Sequence, residues 1–214
     1  MNIIFNIFND SLNYFFNITG DLGIAIILLT ISVKFLLVPL SFKQKLRMKE
    51  QQEVSKDLER IKEKYKNNKE KLDVETRKFY EQSAKGMIGS LTSLLQIPIF
   101  FTLYNVVSKM PMQVGSMIVP WVMNLKATDN LFIVPIIYMI SVLSPNILSY
   151  MPFLRIATQS KLSKVNIIIP GIMSALITLK APVALGIYLI TSSLFSFIEE
   201  VAFRVYVRRK ELYI

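Results

Sequence analysis

The 214-residue chain has no cysteine and no histidine. Without thiols there is neither a disulfide nor a thiolate nucleophile, and without imidazoles the usual zinc and haem ligand sets are excluded. Neither absence fixes the compartment. Glycine is also scarce, and its seven residues stand singly. No glycine-rich loop is there to cradle a phosphate. Neither a metal nor a cofactor is expected. The chain shows no internal repeat and no low-complexity tract. Its first twenty residues, "MNIIFNIFNDSLNYFFNITG", lack a basic start and a small-residue cleavage site, which sets aside a secretory signal.

What the chain does have is apolar length. Hydrophobic residues make up 52% of it and the mean hydropathy is +0.44. The arrangement matters more than the total. Runs of about 20 apolar residues recur, with charge confined between them, as membrane-spanning helices require. The pattern predicts an all-α polytopic membrane protein with five spans: Leu22–Phe42, Met87–Ser108, Leu131–Tyr150, Val165–Leu179 and Val183–Phe203. The fourth, at about 1.5 Å per residue, reaches about 22 Å, short of a hydrocarbon core of about 30 Å. Prolines 39, 98, 135, 145, 152 and 170 lie in or beside the spans and predict kinks.

Charge sets the expected orientation. Of the 25 Lys and Arg, 14 lie between Lys43 and Lys85, three in Met151–Lys164 (Arg155, Lys161, Lys164) and four at the C-terminal end (Arg204, Arg208, Arg209, Lys210). Only Lys109, Lys126 and Lys180 lie on the other side, with Lys34 between. Basic residues favour the cytoplasmic face, so the N-terminus is expected outside and the C-terminus in the cytoplasm of a bacterial plasma membrane. The net charge of +10 is largely this asymmetry, and no direct nucleic-acid function is read from it.

Two segments flank this pattern. Asn2, Asn6, Asn9, Asn13 and Asn17 fall within about 80° of one helical face, and Phe5, Phe8, Leu12, Phe15 and Phe16 lie elsewhere. Residues 1–20 are thus expected to form an amphipathic helix in the outer interface, with a five-span core over 21–214. Within residues 43–85, Val54, Leu58, Ile61 and Tyr65 repeat at helical spacing, as do Leu72, Thr76 and Phe79. "KNNK" (Lys66–Lys69) separates the two patterns, which predicts a cytoplasmic helical hairpin.

Lys34 is the one basic residue inside a predicted span. At the centre of a membrane helix a cation costs about 2.5–3.5 kcal/mol on insertion scales. No carboxylate within the spans offers itself as a partner, because Glu199 and Glu200 belong to the last turns of the fifth. Lys34 is therefore expected to face a hydrated groove. Thr30 and Ser41 share its helix face, Ser93 and Gln96 share one on the second span, and Tyr188, Thr191 and Ser192 lie on the fifth. The competing reading bonds each hydroxyl to a backbone carbonyl. A transporter or channel is an alternative, though neither paired repeats nor broken helices are visible. A Ser-Lys intramembrane hydrolase is another, but no motif positions its serine.

Five stretches together resemble the YidC-type membrane protein insertases (the YidC/Oxa family). "TISVKFLLVPLSFKQ" (Thr30–Gln44) resembles the first core span, in which an arginine precedes a proline by five residues and a basic-Gln pair follows. Lys34, Pro39 and Lys43-Gln44 take those positions. "RIKEKYKNNKEKLDVETRKFYEQ" is similar to the family hairpin and "SLLQIPIFFTLYNVV" to its second span. "WVMNLKATDNLFIVPIIYMI" and "APVALGIYLITSSLFSFIEE" are similar to the third and fifth. The resemblance runs from Leu22 to Arg204. Three features depart from the pattern: Lys34 stands for arginine, "KGMIGS" (Lys85–Ser90) leads into the second span, and the C-terminal tail is short.

The resemblance implies a short, Gram-positive-like insertase and chaperone, with no large outer domain and no covalent chemistry. Its groove would open to cytoplasm and lipid and close on the outside. It would receive the polar tail of a nascent membrane protein while the apolar segment enters the bilayer along the third and fifth spans. Expected partners are nascent membrane proteins, the lipid bilayer, and the ribosome, through the hairpin, residues 151–164 and "RVYVRRK" (Arg204–Lys210). The Sec translocon is a further candidate. A groove cation lowers the cost of drawing in an acidic segment: at an effective dielectric of 20, a pair 4 Å apart gains about 4 kcal/mol.

Overall fold

The computed structural model describes residues 2–66, 68–83, 100–102, 104–107, 115–148, 151 and 165–212. These residues contain helices and turns and no strand. Six helices are delimited: α1 (Asn2–Thr19), α2 (Leu22–Lys64), α3 (Lys69–Ser83), α4 (Ile133–Ile147), α5 (Val165–Leu179) and α6 (Val183–Leu212). Of the expected second span, residues 100–102 and 104–107 are helical and the remainder lies outside the described residues.

α2 and α6 are each long and apolar enough to cross a membrane. α2 has 43 residues, about 65 Å at 1.5 Å per residue. It passes through Phe42 without a break, so the first apolar run and the first arm of the charged segment form one helix. The reason is local: "KQKLRMKEQQ" (Lys43–Gln52) is polar but made of strong helix formers. Past Tyr65 and Lys66 the Asn68 N–H bonds the Tyr65 carbonyl at 2.9 Å, and α3 follows and packs back on α2. α4 and α5 are shorter apolar helices of 15 residues each.

The junction of α1 and α2 is built from a threonine, a glycine and an aspartate. Gly20 adopts φ +68, a left-handed conformation that ends α1 without steric penalty, and its N–H bonds the Phe16 carbonyl at 2.8 Å. Asp21 caps α2 by accepting from the Ile24 N–H at 3.0 Å. The same carboxylate accepts from Ser116 Oγ and from the Met117 N–H, both at 2.7 Å, and so ties the 115–132 loop to the start of α2. Gly23 permits the close approach, since a Cβ there would collide with Ser116.

A second buried carboxylate orders the same loop. Asp129 accepts from Trp121 Nε1 at 3.1 Å, from the Leu131 N–H at 3.0 Å and from the Val134 N–H at 2.7 Å. It thereby satisfies an N–H at the start of α4. The first N–H groups of α6 are met likewise: Val183 and Ala184 donate to the Ala127 and Leu125 carbonyls, each at 2.9 Å.

Around this end of the bundle lies the main apolar core, made by Leu12, Leu22, Ala25, Ile26 and Leu29, by Val106, Val107, Val119, Val122 and Leu125, by Val134, and by α6 from Val183 to Leu189. Phe5, Phe8, Phe15 and Phe16 of α1 pack against it. That aromatic face therefore belongs to the protein interior. A different stripe of α1, Ile3, Ile7, Tyr14 and Ile18, is exposed beside Asn6, Asn13 and Asn17. α5 has the inverted polarity of a lipid-facing helix. Gly171, Ser174 and Thr178 are buried, with Gly171 close to Leu143 of α4, while Ile168, Ile169, Ile172, Met173 and Leu176 are exposed.

Burial alone would push the Asp21 carboxyl up, but its hydrogen bonds from Ser116, Ile24, Met117 and Gly23 outweigh that and hold it below the usual carboxylate value. A depressed native value stabilises above the unfolded value and the gain is lost as pH falls through the native one. Asp21→Ala is expected to cost about 2–3 kcal/mol in detergent at neutral pH, from hydrogen bonds to a charged group. The loss should shrink on acidification below about pH 4. A deficit that does not change with pH would reject the clamp.

Candidate functional site

Past the core, α2 and α6 continue side by side in the same direction, joined by paired contacts that advance along both helices. Phe35 meets Phe195 edge-on at 5.2 Å, and Phe42 meets Phe203 and Tyr206 at 5.3 and 5.4 Å. Between these apolar contacts the seam is polar. Lys34 Nζ donates to Ser196 Oγ at 3.1 Å. Ser196 in turn donates to the Ser192 carbonyl at 2.9 Å, so its hydroxyl proton is spent on the backbone and its lone pairs face the ammonium. Two turns further along α2, Ser41 donates to the Glu199 carboxylate, with the Val38 carbonyl as its alternative acceptor.

The far end of the seam is an ion-pair triad. Glu200 accepts from Lys45 Nζ at 3.0 Å and from Arg204 Nε at 2.8 Å. The Arg204 side chain is only 3% exposed. Beside it Phe203 and Val207 form a small second core with Phe42 and Leu46. α2 and α6 are thus fastened together beyond the length of a bilayer span.

The expected site residues divide into three groups. Lys34 is half-buried in the α2–α6 seam, its head near Ser196. Thr30, Tyr188 and Ser192 are buried, and the Thr30 hydroxyl donates to the Ile26 carbonyl at 2.6 Å. Thr191 is half-buried and donates to the Ile187 carbonyl at 2.8 Å. The two threonine hydroxyls are therefore engaged by their own helices, as membrane threonines commonly are. Ser93 and Gln96 lie outside the described residues.

The structure leaves Lys34 without a direct carboxylate partner among the described residues, as expected, but places Glu199 in the same seam, one turn beyond Ser196 on α6 and held by Ser41 of α2. Ser196 and Glu199 were not among the expected site residues. Their signal was present, because Tyr188, Ser192, Ser196 and Glu199 recur at spacings of 4, 4 and 3 along one helical face. Among the described residues no group of His, Cys, Asp or Glu is arranged to hold a metal.

A half-buried cation whose partner among the described residues is a serine hydroxyl can attract and hold an anionic or polar segment. Comparison with known proteins places the chain in a family. The family model of the 60Kd inner membrane protein matches residues 14–210. The chain is 31% identical over 206 residues to the membrane protein insertase YidC of Fusobacterium nucleatum, covering 94% of this chain and 96% of that protein. It is 27% identical over 194 residues to that of Caldanaerobacter subterraneus, covering 90% and 89%. A longer relative, the membrane protein insertase YidC of Syntrophus aciditrophicus, is 38% identical over 128 residues, which are 59% of this chain and 24% of that protein. The chain therefore belongs to the 60Kd inner membrane protein family, the YidC/Oxa family that its motifs resemble.

Proposed function

We propose that the protein is a membrane protein insertase that draws the polar tail of a nascent membrane protein into a groove beside Lys34 while the apolar segment passes into lipid. The observation that carries this reading is the position of Lys34. It lies in a polar seam just past the main apolar core. An arrangement that is apolar at one end and polar towards the other suits a segment that enters but does not pass through. The exposed aliphatic faces of α4 and α5 support a lipid-facing exit for the apolar part.

The same geometry supports an orientation. α2 and α6 run parallel, and their basic extensions, Lys43 to Lys64 and Arg204 to Lys210, lie at one end. By the positive-inside rule that end is cytoplasmic and the packed end is outside. α1 then lies at the outer interface, with Ile3, Ile7, Tyr14 and Ile18 towards acyl chains. The α2–α3 hairpin and the end of α6 form a basic cytoplasmic surface suited to a ribosome. Five spans complete this arrangement.

Single cysteines at Asn17, Met117 and Lys180 are expected to react with an impermeant reagent on intact cells. Those at Lys69 and Lys210 should react only after permeabilisation. Labelling of Lys69→Cys from outside would reverse the orientation.

Function is tested in proteoliposomes that contain the purified protein alone. A single-span client added during its synthesis should acquire a protease-protected tail, several-fold more than in empty liposomes. Solute flux without any gain in protected tail would favour the transporter reading.

A further inference from the structure

We propose that Glu199 is a specificity-determining residue of the groove, its carboxylate setting which charges in a translocated segment are admitted. The inference rests on the reading of Lys34 as the groove cation.

Lys34 and Glu199 belong to the same α2–α6 seam, Glu199 following by three residues the serine that Lys34 binds, yet among the described residues they form no salt bridge with each other. Each is held by a serine of the facing helix instead: Lys34 by Ser196 of α6, and Glu199 by Ser41 of α2. The exchange keeps the two charges apart. A direct pair would satisfy both groups and leave neither for a client. Split in this way, the ammonium keeps protons to donate and the carboxylate keeps an acceptor oxygen. Both side chains are half-buried, so a segment in the groove would meet them in a partly desolvated setting where charges act more strongly than in water.

Order along the seam gives the two charges different tasks. Glu199 lies one helical turn beyond Ser196, on the side of Lys45 and the charged hairpin. A segment arriving from that side meets the carboxylate first and the ammonium second. Glu200, its neighbour, is occupied by Lys45 and Arg204, so the two glutamates divide the work: one fastens the helices, the other faces the groove. A carboxylate at the entrance weakens the pull of Lys34 on acidic tails and gives lysine-bearing tails a partner. The groove then admits a wider range of clients than a lone cation would.

The test uses the full chain in proteoliposomes and two reporters, identical single-span proteins whose translocated tails carry either two aspartates or two lysines. The readout is the ratio of protease-protected aspartate tail to protected lysine tail. Glu199→Gln is expected to raise that ratio about tenfold, through gain for one reporter and loss for the other. Glu199→Asp, which keeps the charge, should restore the ratio of the parent protein. Ser41→Ala, which frees the carboxylate to act on tails or on Lys34, should shift the ratio the opposite way, towards the lysine tail. An unchanged ratio in Glu199→Gln, or equal change for both reporters, overturns the proposal. Lys34→Ala in the same assay separates the two levels. If it lowers the ratio while Glu199→Gln leaves it unchanged, only the role of Glu199 falls. If neither variant moves the ratio, the groove reading falls with it.

Discussion

Lys34→Glu is expected to reduce insertion of a client with an acidic translocated tail about a hundredfold, the largest effect of any single change in the protein. The substitution removes an attraction and adds a negative charge to the seam that already holds Glu199. Two such terms of about 1.4 kcal/mol each, well under the 4 kcal/mol available to a close pair at an effective dielectric of 20, give that factor. Lys34→Ala removes the attraction alone and should cost about tenfold for the same client. Clients with neutral tails should be much less affected. Lys34→Arg keeps the charge and should retain most activity. A Ser-Lys hydrolase would behave differently, because arginine cannot act as a neutral base near physiological pH. Equal loss in the Arg and Ala variants would therefore exclude the electrostatic groove.

The second large effect concerns stability. Glu200 accepts from both Lys45 on α2 and Arg204 on α6. Glu200→Ala leaves the 3% exposed guanidinium of Arg204 without this carboxylate. Removing one partner of a buried pair costs about 3–5 kcal/mol, and the residual solvent contact of Glu200 and Lys45 places this triad near the lower figure. Thermal unfolding in detergent should show the loss, with protease cleavage appearing first near the ends of α2 and α6. Lys45→Ala should be milder, since the Arg204 bond to Glu200 remains. If Glu200→Ala and the parent unfold together, the triad does not fasten the seam.

The triad bears on the hairpin too. Excision of the whole charged segment would remove Lys45 and confound delivery with stability. A linker that replaces residues 51–83 spares both the Phe42–Phe203 contact and the ion pairs.

Much of the architecture was legible because apolar length and helical period are local properties. The runs starting at Leu22, Val165 and Val183 are helices that start at those residues. Asp21 and Gly20 mark the first start by cap chemistry that any reader of the sequence can find. The continuation of α2 through Phe42 was hidden by the drop in hydropathy, which marks the edge of a span but not of a helix.

Tertiary choices were less legible. The period of α1 revealed an asparagine face but could not say which of its two apolar stripes meets protein. Likewise, the spacing of Thr30 and Thr191 placed them on plausible faces, but not their hydroxyls, which went to backbone carbonyls. The pairing of Ser41 with Glu199 depends on the parallel approach of segments more than 150 residues apart. No periodicity carries that information. Glu199 read as the polar end of a span, although its spacing from Tyr188, Ser192 and Ser196 sets it on their face and Glu200 off it.

Site-specific photocrosslinking tests the central claim most directly. A photoreactive side chain at Ser196, within reach of Lys34, is presented with a ribosome-bound nascent chain stalled as its tail is being translocated. The expected result is an adduct between position 196 and the polar tail, and a shift of that adduct to a lower yield in Lys34→Ala for an acidic tail. A second probe at Ile169, on the exposed face of α5, should not capture the tail. Tail adducts at Ile169 with none at Ser196 would contradict transfer through the α2–α6 groove.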